Sequence, residues 1–240
     1  LAIYPGAELW RFDPTSGALR QVATTPPSQD RPLVLKTRGP YVAMGTEPQK
    51  GKRGGALLLY REDLETFTVH EEVVLGHSIS ALAFHEPGLL AIGTSARGGA
   101  GATSPLGSGH LVLWDLAGSR KVYDGVPVPE ADAIAALVSL GGLIVGLASN
   151  GVLFIFDPAA AQIVCAVHHV PSVPHPSRVG LVATPTGKVC GTSGDVFFTF
   201  DPISRVYSSM AMEKAWFLAV DSSNRLYFVS DFHIMSCRLP

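Results

Sequence analysis

Charge is scarce in this 240-residue chain: Asp, Glu, Lys and Arg make up 16% of it, against about 25% in ordinary domains. Eighteen Lys and Arg against twenty Asp and Glu leave a net charge of −2, which excludes a basic nucleic-acid surface and a charged disordered tail. Cysteine is sparse too. Cys165, Cys190 and Cys237 are an odd set without CxxC spacing, so neither a disulfide framework nor a zinc knuckle is indicated. All three sit in apolar runs and read as small buried hydrophobes. Neither asparagine, Asn150 or Asn224, opens an N-x-Ser/Thr acceptor. Phosphate-loop, HExxH, GxSxG and calcium-loop motifs are absent, and Gly98 to Gly109 lacks the spacing and following helix of a dinucleotide fingerprint. No cofactor and no metal site is expected. The sequence starts at Leu1 with no charged segment leading into an apolar one, so no targeting segment is read, and secreted and cytoplasmic locations both stay open.

Hydrophobic residues reach 47%, and a chain of this length buries a core without staples. Glycine (25) and proline (18) are plentiful and scattered, which suits many tight turns and disfavours long helices. The uncharged stretch from Ala133 to Phe156 could span a bilayer by length. Gly141-Gly142 and Asn150-Gly151 cut it into three strand-length runs, so no membrane association is expected.

Internal repetition organises the chain. Phe12, Tyr60, Trp114, Phe156 and Phe200 end similar apolar runs at intervals of 48, 54, 42 and 44 residues. A short turn and a second strand follow each, as at Lys121 to Asp124 and Gln162 to Ala166. All but the first are preceded by a run ending in Gly-Thr or a similar pair, as at Met44-Gly45-Thr46 and Ile92-Gly93-Thr94. With strands named a to d, the third unit reads His77 to Phe84, Leu89 to Thr94, His110 to Trp114 and Arg120 to Asp124. A period in the forties with four short strands predicts an all-β fold, a β-propeller of four-stranded antiparallel blades. The chain opens in a strand b and closes after a strand c, giving twenty-two strands, or about five and a half blades. Residues 1–240 are therefore expected to form a single propeller domain. The expectation is the C-terminal part of a longer ring of seven or eight blades, or an irregular six-bladed one.

The third unit resembles a WD repeat: Gly76-His77 opens it, Leu82-Ala83-Phe84 lies in the inner strand and Trp114-Asp115 closes strand c. That resemblance implies a structural His bonded in a network with a Ser or Thr, an Asp and the Trp, and a protein-interaction scaffold. The Phe-Asp-Pro endings at Asp13, Asp157 and Asp201 are similar to quinoprotein and Kelch propellers. Gly93-Thr94-Ser95, Arg97-Gly98-Gly99 and Val112 to Asp115 resemble secreted carbohydrate-active propellers, including polysaccharide lyases. This likeness implies a carbohydrate ligand.

In an antiparallel meander the b-to-c and d-to-a links share one end. The long links 24–31, 47–54, 71–76, 95–109 and 168–177 all fall there, where binding concentrates on a rigid scaffold. Arg31, Glu47, Lys50, Lys52, Arg53, His168, His175 and Arg178 are the expected ligand-binding residues, suited to an anionic glycan. Eliminative cleavage of a uronate needs a neutraliser for its carboxylate and a base. Arg97 and His77 are the candidates for these two catalytic roles. Against this stand a WD-type structural role for His77, a solvated basic tip at Lys50 to Arg53, and simple exposure of His168, His169 and His175. Polysaccharide lyase and non-catalytic scaffold with a protein partner both remain open.

Overall fold

Short apolar runs broken by Gly and Asp-centred turns form twenty-two β-strands and no helix in the computed structural model, which describes residues 1–102, 107–173, 179–212, 215–230 and 233–239. The first sheet has three strands, β1 (Ala2–Ile3), β2 (Glu8–Phe12) and β3 (Leu19–Thr24). Four complete sheets follow. The second holds β4 (Gln29–Arg38), β5 (Tyr41–Pro48), β6 (Ala56–Arg61) and β7 (Thr66–Glu71). The third holds β8 (Ser78–His85), β9 (Leu89–Ser95), β10 (Leu111–Asp115) and β11 (Arg120–Gly125). The fourth holds β12 (Ile134–Leu140), β13 (Leu143–Ala148), β14 (Val152–Asp157) and β15 (Gln162–His168). The fifth holds β16 (Val179–Ala183), β17 (Val189–Ser193), β18 (Val196–Phe200) and β19 (Tyr207–Ala211). A last three-stranded sheet comprises β20 (Trp216–Val220), β21 (Arg225–Ser230) and β22 (His233–Arg238). All pairings are antiparallel between consecutive strands, matching the expected strand count and meander. The uncharged Ala133 to Phe156 stretch is β12, β13 and β14 of one sheet.

The repeated aspartates have a local cause. Asp13, Asp115, Asp157 and Asp201 each accept a hydrogen bond from the backbone N–H two residues on, at 2.9, 3.0, 2.9 and 2.9 Å. The carboxylate thus closes an Asx turn between the third and fourth strands.

First strands of successive sheets stand side by side, β4 by β8, β8 by β12, β12 by β16 and β16 by β20. The core lies between the sheets. Ala43, Leu57 and Leu59 meet Ile79, Leu82 and Ile92 at one interface, and Ala81, Ala91 and Leu111 meet Ile134, Phe154 and Phe156 at the next. The glycine of the Gly-Thr pair permits this approach. A Cβ on Gly93 would lie 2.8 Å from Ile134 Cβ of the next sheet, and one on Gly45 would overlap Ile79. The five inner strands enclose a channel of about 320 Å³, walled by residues such as Leu33, Leu35, Leu82, Ala136 and Leu181.

Candidate functional site at the channel mouth

The b-to-c links of the second and third sheets are long, and residues 49–55 and 96–102 pack against each other there. Gly51 N donates to Ala100 O at 3.0 Å and Gly99 N to Lys52 O at 3.0 Å. Close packing forces glycine at both Gly98 and Gly99, since a Cβ would run into the backbone of Lys52 and Gln49. The basic tip is therefore anchored at its base, while Lys50 and Lys52 remain exposed.

Three expected site residues, Arg31, Glu47 and Arg97, converge on a cavity of about 130 Å³ that Ser78, Ser95, Gly98 and Ala100 also line. Arg31 and Glu47 lie in strands rather than in loops. Gln29 starts β4 earlier than expected, its side chain held by Thr46 and by Gly54 O, and shifts in register on either side of Arg31 and Pro32 accommodate the proline. Arg31 Nη1 lies 3.5 Å from Glu47 Oε1. Burial raises the Glu47 pKa despite this partner. Arg97 Nε is 2.7 Å from Asp132 Oδ2, and Arg53 Nη1 donates to Ala96 O at 3.2 Å. His168 Nε2 lies 2.9 Å from Asn150 O, on a different sheet from the cavity. His175 and Arg178 lie outside the described residues. Among those described, no cluster of three His, Cys, Asp or Glu side chains could hold a metal ion.

His77 does not line this cavity. Its side chain is only 5% exposed and its Nδ1 sits 2.9 Å from Thr94 Oγ1, inside the blade. The contact with Thr94 is one part of the network that the WD resemblance implies. Trp114 Nε1 is buried without a hydrogen-bond partner among the described residues, and the indole packs instead against His70 at 4.6 Å.

Sequence reasoning missed the other members of this network. Gln29 pairs with Thr46 at 2.7 Å and Asp132 with Ser149 Oγ at 2.6 Å, each across the seventeen-residue separation of His77 and Thr94. Thr46 also accepts from Ala56 N, and Thr94 from His110 N, so each hydroxyl ties the entry of strand a to the start of strand c. Burial works to raise the Asp132 pKa, but hydrogen bonds from Arg97 and Ser149 outweigh it and the net shift is downward. The signal was available as a fixed interval of seventeen residues before the hydroxyl residue, hidden because Gln, His and Asp take turns as its partner.

No protein-family model matches the sequence, and no curated protein matches it either. Solved structures do match. A chain of the mitotic checkpoint complex superposes with a TM-score of 0.75 over 100% of this chain and 73% of its own, at 12% identity. The computationally designed Ika8 protein gives 0.66 over 99% and 67%, at 15% identity. The Cps50 (Swd1) β-propeller domain of Myceliophteria thermophila gives 0.59 over 87% and 65%, at 13% identity. These identities establish shared architecture and not shared activity. With its meandering sheets set around one channel, the chain is a β-propeller repeat protein.

Proposed function

We propose that this chain is a non-catalytic, WD-like protein-interaction scaffold whose partner docks on the long-loop face. One observation carries this reading: the imidazole and guanidinium groups expected to do chemistry are engaged within the propeller, His77 by Thr94 and Arg97 by Asp132. Burial of His77, the expected base of uronate elimination, supports the same reading. What the face offers is a rigid rim, the packed 49–55 and 96–102 segments, beside a small polar cavity at the channel mouth. The likeness to a chain crystallised within a multiprotein checkpoint complex supports the same reading.

Site-specific photo-crosslinking tests it. A crosslinker at exposed Gln49 or Ala100 should trap a defined protein partner, while one at exposed Ala117, on the opposite end, should not. Equal trapping at both ends would overturn the assignment of the face. Unsaturated uronate absorbance developing on incubation with acidic polysaccharides would overturn the non-catalytic reading.

A further inference from the structure

Two guanidinium groups from neighbouring sheets share the small cavity at the channel mouth, Arg31 reaching it from β4 and Arg97 from the link after β9. Both sheets carry all four strands. The two cations are held very differently. Arg97 is fixed at three points: Nε lies 2.7 Å from Asp132 Oδ2, its backbone N–H donates to Ser95 Oγ at 3.2 Å, and its carbonyl accepts from Ser78 Oγ at 3.1 Å. Arg31 is held loosely. Its contact with Glu47 is long, at 3.5 Å, and its side chain stays 43% exposed over the Tyr4 ring. Ser95 adds a third donor to the cavity wall. The residue is 3% exposed, its oxygen accepts from Arg97 N, and its hydroxyl hydrogen has no acceptor among the described residues.

We propose that this cavity seats the carboxylate of an Asp or Glu side chain of the protein partner, with Arg31 as its principal contact and the Arg97 guanidinium and Ser95 hydroxyl as fixed donors. The inference rests on the scaffold reading of this face and names the chemistry by which the partner is recognised there.

Size and charge both favour that occupant. A cavity of about 130 Å³ has room for several waters, and so for a carboxylate and the methylene that carries it. Around the mouth Arg31, Arg97 and the exposed Lys50 and Lys52 stand against Glu47 and Asp132, which leaves it cationic. Planar guanidinium groups match a carboxylate in shape as well as in charge. Glu47 already offers Arg31 a carboxylate, but burial raises the Glu47 pKa despite that partner, and the contact between them is not a short one. An incoming acid approaches Arg31 from its solvent side and competes with Glu47. A phosphorylated side chain would set a second negative charge beside buried Glu47, whereas a carboxylate brings only one.

The test uses the full chain with N-acetylglutamate amide as the probe and N-acetylglutamine amide as its neutral isostere. Titration followed by NMR should shift the Arg31 Nε and Arg97 backbone N–H resonances saturably with the first and leave them in place with the second. Arg31→Gln should weaken binding about tenfold. Glu47→Gln removes the competing carboxylate and should tighten binding severalfold, a response that a purely structural role for Arg31 would not give. Removing Lys50 and Lys52 together should matter less than R31Q, because charges on an exposed tip are screened. Equal shifts with both probes, no saturable shift with either, or an E47Q variant that binds more weakly than the parent each overturns the proposal. Tighter binding of inorganic phosphate or of a methyl glucuronide at these resonances would assign the cavity to another anion and overturn it too. Partner crosslinking from Gln49 or Ala100 that persists undiminished in R31Q would remove this proposal and leave the scaffold reading standing, so the two failures are distinguishable.

Discussion

His77 Nδ1 and Thr94 Oγ1 lie 2.9 Å apart in the interior of one blade, and the pair Gln29 and Thr46 repeats the contact in the preceding blade at the same sequence separation. The hydroxyl is the shared element. It tethers the entry of the first strand to the start of the third strand of the same blade.

Thr94→Val keeps the shape of the side chain and removes the hydroxyl that bonds His77 Nδ1 and accepts from the His110 N–H. A loss of about 1–3 kcal/mol is expected from stranding buried polar groups, read by urea denaturation. His77→Ala should cost a similar amount, and the double variant should cost clearly less than the sum, because both changes break one contact.

Gly93→Ala introduces a Cβ that meets Ile134 across the blade interface. Overpacking there should destabilise the fold by about 1–3 kcal/mol. Gly88→Ala is a poor control because of its positive φ; Ser16→Ala on an exposed turn is the better one. Thermal melts compare the two, and equal melting temperatures would remove close approach as the reason for the Gly-Thr motif.

Asp132 makes stability acid-sensitive. Its folded pKa is lowered from an ordinary value of 3.8, so the contribution of its ionised form is complete above that value and is lost as pH falls through the folded pKa. Asp132→Asn should therefore lower the melting temperature at pH 7, with the gap to the parent closing below about pH 3.8. A gap of constant size down to pH 3 would contradict the Arg97 and Ser149 assignment.

Thiol reactivity should separate the three cysteines. Cys237 is exposed, Cys165 half-buried, and Cys190 buried with burial pushing its pKa up to about 11. Native alkylation at pH 8 should modify Cys237 first and spare Cys190 until unfolding, as peptide mass mapping would show.

The period of the aromatics and the Gly-Thr pairs made the blades legible, because inter-sheet packing demands a small residue at one place and an Asx turn at another in every unit. Boundaries were less legible where a bulge absorbs a proline: the link before this strand was read as running to Arg31, and β4 begins at Gln29 in the fold. Arg31, Glu47 and Arg97 could be assigned to one face by counting links, yet nothing in the chain order said that their side chains would share a cavity. Composition suggested an anionic ligand for them, and in the fold Arg31 and Arg97 are paired with Glu47 and Asp132.

Local rules acting over a few residues determined the strands, their turns and the repeat, so the sequence alone carried the architecture. Whether His77 faced a ligand or a hydroxyl depended on contacts between segments seventeen residues apart and on the neighbouring blade's approach. Burial is a property of the assembled sheets, and only the tertiary structure decided it.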